Sequence, residues 1–168
     1  LIDVLPWYVE PDSPYVALAR AQDELGDREA AAETLLTFWR TGGYDPVTLQ
    51  KLAAWLDEEG RTADAIGVLK TVNLVDPLDQ AVHGKLGDLL MTAGRADEAL
   101  REYTVALALD PHDKATAYYR LATAHNALGD RTASQDQLLM ALDVAPNFRP
   151  AQRLLLELMR AEPGSQHN

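Results

Sequence analysis

The chain is predicted to be all-α, an α-solenoid of helix-turn-helix repeats, on three observations. Glycines recur at 26, 60, 94 and 129, spaced 34, 34 and 35 residues apart, and Pro77, Pro111 and Pro146 keep the same intervals. Inside each period a small residue stands eight in (Ala19, Ala53, Gly87, Ala122), preceded by Leu18, Leu52, Leu86 and Leu121. A second small residue follows at position 20 (Ala31, Ala65, Ala99, Ser134) and a large one at position 24 (Leu35, Leu69, Tyr103, Leu138). A fixed period near 34 residues is that of stacked helix pairs. The core of such a stack is a series of neighbour interfaces.

The elements follow in order. Residues 1–13 are apolar and aromatic (Ile2, Val4, Leu5, Trp7, Tyr8, Val9) but interrupted by Pro6 and Pro11, with Pro14 next. Proline removes a backbone donor, so no long helix is expected there, and the segment reads as an N-terminal extension or cap. Tyr15 to Leu25 and Arg28 to Thr41 then form the first helix pair, with Asp27 as the N-cap between them. The second pair spans Pro46 to Glu59 and Thr62 to Val75; proline directly after Asp45 is ordinary helix-start chemistry, and Gly60 is the stop between them. The third spans Asp79 to Ala93 and Ala96 to Leu109, with Asp97 and Glu98 in a first turn, where carboxylates suit the helix dipole. The fourth spans Asp113 to Leu128 and Arg131 to Ala145. A ninth helix, Arg149 to Ala161, places Leu155 where Leu121 stands and has no second helix to pair with; polar Gln152, Arg153, Glu157 and Arg160 among its leucines suggest a capping helix with a wetter outer side. Residues 162–168 read as a frayed tail.

This pattern resembles the tetratricopeptide repeat, whose signature is aromatic, Leu-Gly, Tyr, Ala, Phe, Ala, Pro. The resemblance covers about residues 12 to 148 and implies a right-handed superhelix of four repeats (about 14–45, 46–79, 80–113 and 114–148), capped by 149–161. Two departures stand out. The first unit closes through Thr41-Gly42-Gly43-Tyr44-Asp45-Pro46, a three-residue insertion in the first inter-repeat turn, and the fourth is one residue longer between its glycines, with His125 where the family usually has Tyr.

Composition narrows the function classes. The formal net charge of −11 over 168 residues argues against a nucleic-acid or anionic-membrane surface, which needs clustered cations. The absence of cysteine excludes disulfides, thiolate metal sites and cysteine nucleophiles. Neither a run of 18 apolar residues nor a basic-then-apolar leader is visible, so no membrane span or signal peptide is expected, and the compartment is not indicated. Without an initiator methionine, the chain reads as a piece of something longer.

Catalytic signatures are missing as well. His83, His112, His125 and His167 fall in different units with no i,i+4 pair, and neither a Gly-rich phosphate loop nor a Gly-x-Ser-x-Gly elbow occurs. Helix ends explain Asp57-Glu58-Glu59 and Asp97-Glu98. No enzymatic activity, cofactor or metal is therefore expected. The resemblance implies instead that the first helix of each repeat lines a concave groove and binds a peptide or partner helix through its positions 2, 5, 6, 9, 12 and 13. On this chain position 6 is Lys51, Lys85 and Arg120, a cation ladder on an acidic protein, with Arg153 extending it and Arg20 on the same face. Gln50, Tyr119, Thr123 and Asn126 stand around it with groups for hydrogen bonding. Ordinary solvation competes with this reading, through Lys85 paired to Asp88 at i+3 and Arg153 to Glu157 at i+4. The clamp that some family members use for a C-terminal carboxylate does not match here.

The expected function is a protein–protein interaction scaffold with a protein or peptide partner, acidic in character. The repeat motifs with the tail Ala145-Pro146-Asn147-Phe148-Arg149-Pro150-Ala151-Gln152-Arg153-Leu154-Leu155 also look like the repeat-bearing C-termini of multidomain bacterial hydrolases, metallopeptidase-like ones included, so the non-catalytic C-terminal region of a larger bacterial enzyme is the alternative. Self-association through Leu1 to Val9 is a third reading.

Overall fold

A computed structural model describes residue 8 and residues 10–160. Among these it contains nine α-helices and no strand: α1 (Pro14–Glu24), α2 (Arg28–Arg40), α3 (Pro46–Glu58), α4 (Thr62–Val75), α5 (Gln80–Thr92), α6 (Ala96–Ala108), α7 (Lys114–Ala127), α8 (Arg131–Val144) and α9 (Arg149–Arg160). Each expected helix is present, its ends within one residue of those read from the sequence. The expected frayed tail, 162–168, lies outside the described residues, as do residues 1–7 and 9 of the expected N-terminal cap.

The chain forms two compact units, the first ending at Pro77 and the second beginning at Leu78. In the first, α1 packs on α2, α2 on α3 and α3 on α4; in the second the same succession runs from α5 to α9. Helices therefore meet mainly their neighbours in sequence, as a repeat array requires.

The repeated glycines end the first helix of each pair. Gly26, Gly60, Gly94 and Gly129 have φ of 82°, 75°, 72° and 78°, the left-handed region that a side chain disfavours. The residue after each donates its N–H five residues back: Asp27 to Gln22, Arg61 to Leu56, Arg95 to Leu90 and Asp130 to His125, at 2.7–2.9 Å. Otherwise orphaned helix-end carbonyls are thereby satisfied. Helix starts use two devices. Asp27, Asp45, Asp79, Asp113 and Asp130 accept from first-turn N–H groups through their carboxylates. α4 and α6 have arginine at that place instead, and Arg61 and Arg95 fold forward onto Asp64 and Glu98 three residues on.

The buried interior follows the repeat positions. Ala19, Ala53 and Ala122 are at most 2% exposed, as are Leu69 and Leu138, with Leu35 and Tyr103 at 3%. Ser134 replaces alanine at position 20 without cost in unmade bonds, because its Oγ donates to the Ala122 carbonyl at 2.9 Å. The insertion after α2 folds over its own helix: Gly43 N–H donates to the Phe38 carbonyl, and a Cβ at Gly43 would overlap the Phe38 ring. At the other end, Ala151 and Leu158 of α9 join Ala122, Leu138 and Ala141 in one cluster. The remaining surface of α9 is mixed, exposing Leu156 and Met159 beside Arg153 and Glu157, so its outer side is less polar than a capping helix would have it.

By spacing alone Glu102 of α6 would face water, and its removal would be silent. It is half-buried, and its Oε2 lies 2.7 Å from Nδ1 of His83, itself 5% exposed on α5. Glu102 on α6 thus reaches His83, the fourth residue of α5. Glu102→Ala is expected to cost about 1–3 kcal/mol, the range for taking a partner from a buried polar group. A urea midpoint equal to that of the wild type would refute this.

Candidate functional site

The candidate residues lie on the odd-numbered helices, the first of each pair: Arg20 on α1, Gln50 and Lys51 on α3, Lys85 on α5, Tyr119, Arg120, Thr123 and Asn126 on α7, and Arg153 on α9. They do not form one uniform row.

In the first unit, Lys51 Nζ is 2.8 Å from Asp23 Oδ2 on α1 and 4.5 Å from the centroid of the Trp55 ring, one turn along its own helix. Two attractions from two directions hold the ammonium across the α1–α3 contact. Arg20 is different. It is exposed, and among the described residues its guanidinium enters no ion pair. Between these two cations opens a pocket of about 180 Å³, with Val16, Leu35, Val47 and Trp55 among its walls. Val47 is 75% exposed, a large aliphatic side chain at the pocket mouth.

In the second unit Arg120 makes two bonds to Asp88 on α5, Nε to Oδ1 at 2.9 Å and Nη2 to Oδ2 at 2.5 Å. Tyr103 Oη of α6 donates to the same Oδ1 at 2.9 Å, and the guanidinium stands 6.0 Å from the Tyr103 ring centroid. One carboxylate therefore ties three helices together. Two glycines make room for this: a Cβ at Gly84 would lie 2.9 Å from Arg120 Nη1, and one at Gly87 would overlap the Tyr103 ring. Asp88, expected to answer Lys85, is engaged by Arg120 and Tyr103.

Burial, with the negative charge of Asp88 and the hydrogen bond to it added, raises the Tyr103 phenol well above its ordinary value, while Arg120 opposes the shift. A proton held more tightly in the folded state makes the stability full below the unfolded tyrosine value of about 10 and lost as pH rises beyond it. Urea titrations from pH 8 to 11 should show stability falling above pH 10, and Tyr103→Phe should flatten that slope while lowering stability at pH 7. An equal slope in both proteins would remove Tyr103 as the cause.

The other candidates divide similarly. Thr123 does not offer its proton to a ligand, since its Oγ1 donates to the Arg120 carbonyl at 2.7 Å. Tyr119 packs edge-on against Phe148, centroids 5.6 Å apart, and with Pro150, Leu154 and Arg153 borders a second open pocket between α7 and α9. The expected i+4 pair of Arg153 with Glu157 is not formed; both line this pocket, and among the described residues Arg153 has no ion pair. Asn126 is exposed at the end of α7. Sequence reasoning missed the anchors Asp23 and Asp88 and the Trp55 platform. Their signal was available: each acid stands on the preceding odd-numbered helix, 28 and 32 residues before its cation.

Among the described residues no group of three or more His, Asp or Glu side chains is placed to hold a metal, and no helix is long and apolar enough to cross a membrane.

Two family models described as tetratricopeptide repeat match the chain, one over residues 56–113 and the other over 85–147. The chain belongs to the tetratricopeptide repeat family. Human anaphase-promoting complex subunit 7 is 27% identical to it over 128 residues, covering 64% of this chain. The chain spans 22% of the length of that relative. The crystal structure of MamA superposes with a TM-score of 0.74 at 20% identity, covering 84% of this chain and 82% of its own. The first tetratricopeptide domain of Spaghetti (RPAP3), solved bound to an HSP90 peptide, gives 0.64 at 19% identity over 69% of this chain and 91% of its own. At such identities these two structures share the fold with this chain. The all-α repeat architecture expected from the sequence is thus the one the family has.

Proposed function

We propose that this tetratricopeptide chain is a protein–protein interaction scaffold that receives a partner peptide or helix on its odd-numbered helices. The observation that carries the reading is that each unit opens a pocket there, rimmed by an exposed arginine that has no ion pair among the described residues, on a protein of net charge −11. The peptide held by the RPAP3 domain supports it by fold analogy. Residues 14–148 are then four repeats (14–45, 46–79, 80–113, 114–148) and 149–161 the cap. Preformed helices need little ordering on association, so affinity comes from a few buried partner side chains, with acidic groups of the partner meeting Arg20 and Arg153. Lys51 and Arg120 act mainly as struts between helices, with Gln50, Lys85, Tyr119, Thr123 and Asn126 as the surrounding contact surface. The chain is non-catalytic in this reading and binds neither nucleic acid nor membrane.

The test is capture of a natural partner by the purified chain, followed by Arg20→Glu with Arg153→Glu. Neither change breaks an ion pair among the described residues, so helicity and midpoint should hold while binding weakens and its salt dependence falls. Undiminished binding would move the site elsewhere, with self-association through Leu1 to Val9 next to be tested by sedimentation. A second reading is a non-catalytic repeat region within a larger protein, as 22% of its relative's length would be; for the metallopeptidase-like hydrolase suggested by the tail sequence no further observation speaks.

A further inference from the structure

The two cations at the first pocket are not equivalent. Lys51 is already neutralised by Asp23 and lies over Trp55, so drawing it to a ligand means breaking both contacts. Arg20 has no ion pair to break among the described residues. Its guanidinium is a planar donor fork that suits a carboxylate, at the edge of a pocket with aliphatic and aromatic walls. The pocket therefore offers two unlike subsites, an apolar slot and a single unsatisfied positive charge.

We propose that the pocket between α1 and α3 receives an aliphatic side chain of an extended partner segment while Arg20 pairs with an acidic side chain two residues away. This rests on the reading of the chain as a peptide-binding scaffold and specifies the partner. The spacing follows from strand geometry: side chains alternate, so the next residue on the same face is two along, at roughly 6.6 Å for a rise of about 3.3 Å per residue. The rim of an interhelical pocket is set by helix axes about 8–10 Å apart, so an arginine there is within reach of that second side chain. One free guanidinium calls for one carboxylate, and an internal aspartate or glutamate supplies it.

The probe is a dye-labelled, end-blocked peptide Gly-Ser-Leu-Ser-Glu-Ser-Gly, compared with its Glu→Gln and Leu→Ala forms by fluorescence anisotropy at low and high salt. In the wild-type chain the Glu peptide should bind about two- to fivefold more tightly than the Gln peptide, the scale of one exposed ion pair. That ratio should collapse to one in Arg20→Gln and persist in the control Arg149→Gln. Val47→Asp, at an exposed position, should abolish the advantage of Leu over Ala, and the peptide should shift the Trp55 indole N–H resonance. A ratio unchanged in Arg20→Gln, an unmoved indole, or no binding of any probe would overturn the proposal. The two readings fail separately. A natural partner that still depends on Arg153 while these peptides ignore Arg20 leaves the scaffold reading intact without this one. A partner indifferent to both arginines, with the peptide behaving as expected, does the opposite.

Discussion

Gly87→Ala is expected to destabilise the second unit by about 1–3 kcal/mol, although alanine is the better helix former by about 1 kcal/mol. The added methyl would overlap Cε1 and Cδ1 of Tyr103. The ring cannot easily retreat, because its hydroxyl is fixed on Asp88 and Arg120 stands beside it. The chain supplies its own control. Where position 24 is Leu35, Leu69 or Leu138, position 8 is alanine; only where it is Tyr103 is position 8 glycine. Combining Gly87→Ala with Tyr103→Leu should therefore recover part of the loss, less the hydrogen bond to Asp88. Guanidinium midpoints of the two single variants and the double variant test this. Additive losses would show that the two positions do not share one space.

Phe38→Ala should cost about 3–5 kcal/mol, the range for removing a fully buried phenylalanine. Phe38 is completely buried, with the Tyr15 ring of α1 at 6.5 Å between centroids and Gly43 lying on its face. The loss should have a local signature. The turn Thr41-Gly42-Gly43 rests on this ring, so amide exchange should quicken in residues 41–45 more than at the Gly60 turn. Uniform quickening across the first unit would mean that the ring acts only as general core volume.

Helix positions were legible because period, stop glycine and capping aspartate are local signals that agree with one another. Gly60 and Asp45 announce their roles within four residues, and the structure uses them so. The site was legible only by type. Its residues could be placed on the odd-numbered helices, but whether a cation is free or braced depends on a partner about one repeat away. Lys51 and Arg20 look alike in sequence; only the reach of Asp23 across to α3 separates them. The burial of Glu102 is hidden for the same reason, since His83, 19 residues earlier, meets it only once α5 and α6 are packed together.

The succession of neighbour contacts within each unit also bears on how quickly the chain acquires its structure. α1 meets α2, and α5 meets α6, across turns of a few residues, so the search for native partners closes only short loops. Loop-closure entropy rises with the logarithm of the separation, and folds dominated by near contacts acquire structure in roughly microseconds to milliseconds. During synthesis each hairpin can begin to bury its alanine and leucine positions once its second helix has emerged, before the next repeat has been translated.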